Sequence, residues 1–283
     1  MAAKFLGQFL LERGLISKEQ LLRALEIQRL SNPMLGEIAQ ARGWLDAAQA
    51  RAINDRQKRE DARFGDIAIS MGLLSAEQID ALLGQQKALR KLFGEILVEE
   101  NMLSREQLEA ELQAQQADRA DALQSLETGM TGHPLARMVQ GSIATCSKLF
   151  PRLLKTQCQF ANLIESPDAL EAYPITATVR VSSDRPLLIA VACDAATMQA
   201  FGGAFLSMPV DKCDDELSRD AVGELVNVLM GYVVKDNLAE DARYRAAPPD
   251  FGTSAPALVN DTPGAVAVAM TSQLGPFALI LAG

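Results

Sequence analysis

Short apolar runs recur every 29 residues through the first 116 positions. Gly7, Gly36, Gly65 and Gly94 mark the interval, and Gln28, Gln57, Gln86 and Gln115 keep the same spacing. Gly14, Gly43, Gly72 and Asn101 hold a second shared place. Three residues later come Ser17, Asp46, Ser75 and Ser104, each followed at i+3 by a glutamine: Gln20, Gln49, Gln78 and Gln107. A run such as Phe5-Leu6-Gly7-Gln8-Phe9-Leu10-Leu11 that halts before a glycine reads as a helix stopped by a left-handed residue. Asparagine is the tolerated substitute for that glycine. Ser/Asp-x-x-Gln is a capping box that starts a new helix, and Leu21, Leu22, Ala24 and Leu25 continue with helical periodicity. The pattern predicts an all-α array of four 29-residue helix-turn-helix repeats over residues 1–116. Such stops, caps and leucines serve any stack of two-helix units, whatever it binds.

The pattern then changes. Residues 117–132 are small and polar and read as a linker, whose first part can extend the preceding helix. From 133 to 283 the chain reads as an α+β domain. Its predicted elements are a helix near Leu135–Phe150, strands at Ile175–Ser182 and Pro186–Cys193, helices at Ala195–Leu206 and about Asp215–Lys235, and strands at Ala265–Met270 and Phe277–Ala282. The fold class is therefore α+β and multidomain.

The helix from Asp215 carries the candidate chemistry. At about 100° per residue, Asp220, Glu224, Asn227 and Gly231 fall on one narrow line. Val222, Leu225, Val226, Leu229 and Val233 fall on the opposite face, which fixes the core side and turns Glu224 and Asn227 outward together. Gly231 costs about 1 kcal/mol relative to alanine in a helix interior, so something is expected to approach the backbone there. An arbitrary Glu-x-x-Asn on a helix more often solvates an exposed face than performs chemistry.

Charge and composition narrow the classes. The 283 residues carry 27 basic and 36 acidic side chains, net −9, with the acidity shared by both halves. An evenly acidic surface argues against nucleic-acid binding. Cys146, Cys158, Cys193 and Cys213 are far apart, and with the single His133 they make no metal-binding spacing, so packed reduced thiols are expected. The long uncharged run Thr262–Gly283 is broken by Pro263, Gly264, Gly275 and Pro276, which argues against a membrane span. The charged, amphipathic start shows no signal peptide, and a cytoplasmic protein is expected. There is no G-x-x-x-x-G-K-[ST], G-x-S-x-G, G-x-G-x-x-G or H-E-x-x-H segment.

The pattern Leu6-Gly7-x-x-Leu10-Leu11-x-x-Gly14-Leu15-Ile16, continued by Leu21, Leu25 and Gln28, resembles the MshEN domains of type II secretion and type IV pilus assembly ATPases. That resemblance implies a cyclic di-GMP site. The family's base-contacting arginine stands two places before the first glycine, a place held here by Phe5, Met34, Arg63 and Leu92. Only the third unit keeps it. The implied ligand set pairs the third and fourth units: Arg63, Phe64, Gly65, Ile69, Gly72, Leu73 and Gln86, with Gly94 and Ile96 across the pair.

Asp220-x-x-x-Glu224-x-x-Asn227-x-x-x-Gly231, followed by Pro248-Pro249-Asp250-Phe251-Gly252, resembles the CheC/CheX chemotaxis phosphatases, over about residues 131–283. The resemblance implies dephosphorylation of a CheY-like response regulator. Glu224 would pair with the receiver's lysine and Asn227 would hold a water in line with the aspartyl phosphate. Asp220 and Gly231 would support the motif. No cofactor of the chain's own is implied, because the Mg2+ would belong to the receiver. A non-catalytic adaptor and a cyclic di-GMP receptor stay open as alternatives, as does a homodimer.

Overall fold

A computed structural model describes residues 4–60, 62–238 and 242–283. The chain divides into a helical unit, Leu6–Ala114, and a second unit holding Gln115–Gly283 together with Lys4 and Phe5.

The helical unit alternates short and long helices: α1 (Leu6–Glu12), α2 (Lys18–Ser31), α3 (Leu35–Ala41), α4 (Ala47–Arg59), α5 (Phe64–Ser70), α6 (Ala76–Leu89), α7 (Phe93–Glu99) and the start of α8 (Arg105–Gly129). Each short helix ends in a Schellman motif. Gly14, Gly43, Gly72 and Asn101 have φ of 68°, 69°, 65° and 55°, and the next residue's N–H donates five residues back, as from Leu15 to the Leu10 carbonyl. Each following helix opens on the expected cap. Gln20 N–H donates to Ser17 Oγ while Ser17 N–H donates to Gln20 Oε1, and the same exchange links Asp46 with Gln49, Ser75 with Gln78 and Ser104 with Gln107.

Two separate cores hold these helices. Ile38, Ala39, Leu45, Ala50 and Ile53 pack with Ile67, Ala68, Leu74, Ile79 and Leu82, whereas Leu10, Ile16 and Ala24 pack with Ile96, Leu97 and Leu103. The second stretch of the sequence therefore pairs with the third, and the first with the fourth. This corrects the expected pairing of third with fourth. The glycines have packing roles here. A Cβ on Gly7 would meet Leu21 and Phe93, and one on Gly36 would stand 3.4 Å from the Phe64 ring. Gln86 Nε2 donates to the Pro33 carbonyl (3.0 Å), and Asn32 exchanges two hydrogen bonds with the backbone of Lys91 (3.0 and 2.9 Å).

The second unit begins within α8. Residues 117–129, read from sequence as linker, are helical, because Ala122 and Leu126, with Met130 just beyond, supply a buried i, i+4, i+8 stripe. After α9 (Ala136–Leu153) come β1 (Cys158–Ile164), β2 (Ile175–Ser182), β3 (Leu187–Cys193), α10 (Ala195–Leu206), α11 (Asp215–Asn237), β4 (Arg245–Ala246), α12 (Ala255–Asp261), β5 (Val266–Ser272) and β6 (Gly275–Ala282). The six strands form one antiparallel sheet in the order β1-β5-β6-β3-β2-β4.

Both faces of this sheet are covered, which is why β3 is apolar at every position. Ala177, Val179, Val181, Ile189, Val191, Val268 and Leu279 face the core shared with α9, α10 and α11. Leu188, Ala190, Ala192, Ala267, Ala278 and Ile280 face Leu170, Ala255 and Leu258 on the other side. Phe150 stacks on Phe277 at 4.9 Å between centroids, and Phe201 meets both edge-on at 5.5 and 5.6 Å. Such contacts add about 0.5–1.5 kcal/mol each beyond burial, and they clamp α9 and α10 to β6. Against this layer lies α11.

Candidate functional site

The site is built on α11. The Asp214 carboxylate caps it by accepting from Leu217 N–H (2.9 Å), Asp215 and Glu216 occupy its first turn, and Lys235 its last. Val222, Leu225, Val226, Leu229 and Val233 are all buried, joined by Ser218, Ala221, Gly223 and Val234. This broad apolar face fixes the rotation of the helix. On the other side Asp220, Glu224 and Gly231 are exposed and Asn227 is half-buried, the placement predicted from the periodicity.

Glu224 and Asn227 are brought together: Asn227 Nδ2 donates to Glu224 Oε2 at 3.3 Å. The bond orients the carboxamide, because a donating NH2 leaves Oδ1 free to accept from water or a partner. Both side chains line an open groove of about 480 Å³ with Glu216, Arg219, Asp220, Gly223, Pro249 and Phe251. The helix gives one wall and the segment around Asp250 gives the other.

That second wall is an extension of the sheet. Thr178 and Asp250 exchange two backbone hydrogen bonds of 2.8 Å, and Ala247 N–H donates to the Arg180 carbonyl at 2.9 Å. Asp250 Oδ1 accepts from Gly252 N–H (3.0 Å), which holds the bend after Phe251. Pro249 and Phe251 are thereby laid against α11 at Gly223, where a Cβ would stand 3.3 and 3.4 Å from Pro249 and 3.8 Å from Phe251. Among the described residues, a close approach to the backbone of α11 occurs at Gly223, whereas a Cβ on Gly231 has nothing of this chain within 4 Å. The pattern on one helix does not single out Gly223 or Arg219. The signal for Gly223 was a second glycine on the helix, beside Glu224.

Several of the residues implied for a cyclic di-GMP site are engaged in packing or in ending a helix. Arg63 is exposed at the N-cap of α5, and Ile69 is exposed on that helix. Phe64 packs on Gly36, Gly65 on Ile79, and Gly72 and Leu73 form a helix stop. Gln86 is engaged by Pro33, while Gly94 packs on Leu108 and Ile96 is buried in the other core with Leu10. Ile96 therefore belongs to a different core from Phe64 and Leu73, which pack against the core around Ile38 and Ile67.

Other chemistries find little support. Among the described residues no group of three or more His, Cys, Asp or Glu side chains is placed to hold a metal ion. All four cysteines are buried and unbridged. Burial pushes the Cys146 and Cys193 thiols up to about 12 and raises Cys158 as well, so none is a thiolate at neutral pH. No helix among the described residues is long and apolar enough to cross a membrane.

Residues 175–274 match the family described as "Chemotaxis phosphatase CheX". Among solved structures, the chain is similar to a chemotaxis protein CheX from Desulfovibrio desulfuricans, with 16% identity over 52% of this chain and 98% of that one, TM-score 0.41. It is also similar to a CheX–CheY–BeF3–Mg2+ complex from Borrelia burgdorferi, with 16% identity, 51% and 95% coverage and TM-score 0.39. A CheX from Vibrio vulnificus gives 11% identity, 51% and 97% coverage and TM-score 0.40. No curated protein matches the sequence significantly. The C-terminal domain is CheX-like.

Proposed function

We propose that this CheX-like domain removes the phosphoryl group from the aspartyl phosphate of a response-regulator receiver. The observation that supports the reading most is the pairing of Glu224 with Asn227. A carboxylate and a carboxamide share a hydrogen bond on the open side of a helix whose opposite face is buried, in a groove with room for a partner's loop.

The two side chains divide the work. An acyl phosphate needs little covalent help, and placing the attacking water contributes much of the rate. Asn227 orients that water, with Oδ1 accepting a hydrogen bond from it as the oxygen attacks phosphorus in line with the departing aspartate carboxylate, and the water's proton leaves with the released phosphate. Glu224 pairs with the receiver's active-site lysine and so registers Asn227 over the phosphoryl group. The Mg2+ comes with the receiver. Phosphate release from a phosphorylated receiver, with wild type, Asn227→Ala and Glu224→Ala, tests the reading. Both variants are expected to lose the acceleration, and full activity in both rejects it.

The N-terminal helices are proposed to regulate or target this activity as an array of four MshEN-type units. Cyclic di-GMP is the candidate ligand, favoured by one observation: Arg63 is exposed at the start of α5, where the resemblance places the base-contacting arginine. Calorimetry with the nucleotide, using wild type and Arg63→Ala, tests this. Heat from wild type alone supports it, and heat from neither removes it.

A further inference from the structure

Arg219 lies on α11 one turn before Gly223 and is exposed. Its guanidinium carbon is 5.3 Å from the centroid of the Phe251 ring. Asp215 and Glu216 stand four and three residues earlier, the spacings at which a helix commonly pairs opposite charges. Yet the ion pairs among the described residues do not include Arg219. The guanidinium is laid on the ring instead, and the ring sits on the segment that Asp250 bonds to β2. A guanidinium held over a ring by cation–π attraction keeps N–H groups free to donate.

The groove therefore has an uneven charge pattern. Glu216, Asp220 and Glu224 run along the helix wall, and among the described lining residues one cation, Arg219, reaches from the same helix over the Phe251 ring of the opposite wall. At 1.5 Å per residue Arg219 is about 12 Å along the helix from Asn227. That is too far to touch the phosphoryl group that Asn227 serves, and near enough to meet the receiver's surface around it.

We infer that Arg219, held over the Phe251 ring, is a specificity-determining residue that pairs with an anionic side chain on the rim of the receiver's acyl-phosphate pocket. The inference rests on the reading of Glu224 and Asn227 as the receiver-facing pair. The partner that suits this groove is bipolar, cationic opposite Glu224 and Asp220 and anionic opposite Arg219. Receivers share the acyl-phosphate chemistry and differ in their rims, so a fixed cation distinguishes them by repelling a basic rim as well as by attracting an acidic one.

The test is steady-state phosphate release across a panel of phosphorylated CheY-like receivers, followed on the one that the wild-type chain dephosphorylates fastest. Arg219→Gln is expected to raise KM about five- to tenfold and to leave kcat within about twofold. The difference shrinks as salt is added, because an exposed pair is screened. Arg219→Lys recovers part of the loss, Phe251→Leu raises KM in the same direction, and Arg219→Glu reorders the panel toward receivers with basic rims. A wild-type KM for Arg219→Gln, or a loss confined to kcat, overturns the inference and leaves the proposed function standing. A wild-type chain that neither releases phosphate nor binds receivers loaded with beryllium fluoride and Mg2+ removes both.

Discussion

Gly223 and Pro249 are in contact across the groove, 3.3 Å separating the Pro249 Cβ from the place where a Gly223 side chain would begin. This contact sets the distance between the two walls. Gly223→Ala gains about 1 kcal/mol of helix propensity, but crowding at a packed site costs about 1–3 kcal/mol. The crowding is expected to win. The variant should melt a few degrees lower and lose activity several-fold as the Pro249 wall moves out, measured by thermal unfolding and phosphate release.

Gly231→Ala is the opposite case. Nothing lies within 4 Å of the added methyl group, so the propensity gain is unopposed and the variant should be more stable by about 0.5–1 kcal/mol in urea unfolding. A simultaneous fall in receiver dephosphorylation would place the partner's surface over this exposed turn. Unchanged activity would show that the turn stays bare in the complex.

Asn101 stands in the left-handed region at φ 55°, where glycine fills the equivalent place at Gly14, Gly43 and Gly72. Asn101→Gly should therefore stabilise the helical unit by about 0.5–1 kcal/mol, by removing the Cβ penalty at the helix stop. A lower melting temperature for this variant would mean that the Asn101 side chain contributes more than its backbone costs.

The thiols give a pH dependence of known sign. Burial raises Cys146 and Cys193 from an ordinary 9.0 to about 12 and raises Cys158 too, so the folded state holds protons that the unfolded chain releases. Their contribution is fully present below about pH 9 and is lost between about pH 9 and 12. Urea midpoints should fall across that window. A thiol reagent at pH 8 should label none of the three until the protein unfolds. Rapid labelling of the native protein would contradict the burial.

Much of this was legible because local patterns and global packing agree. The faces of α11 follow from five apolar residues at helical spacing, and the caps and stops of the helical unit follow from Ser/Asp-x-x-Gln and a left-handed residue. What escaped depended on distant parts of the chain. β1 is interrupted by Gln159 and Asn162 and carries a register shift between Phe160 and Asn162, so it shows neither alternation nor a continuous apolar run. Residues 117–129 are polar enough to read as linker, and only the core below explains Ala122, Leu126 and Met130.

Helix pairing had one faint signal. Leu6-Gly7 and Leu35-Gly36 contrast with Phe64-Gly65 and Phe93-Gly94, and each phenylalanine covers a glycine that follows a leucine. In the groove, Gly223 and Arg219 gain meaning only from Pro249 and Phe251, which arrive some thirty residues later on the edge of β2. Sequence spacing on one helix cannot show what comes to lie against it.

The central claim is that Asn227, held beside Glu224, places the attacking water. Its most direct test is the single-turnover decay of a receiver's acyl phosphate at saturating protein, comparing wild type with Asn227→Ala. Decay is expected to be about 100-fold slower for the variant, with receiver affinity changed by no more than about threefold and the helical content intact. Decay at the wild-type rate would contradict it.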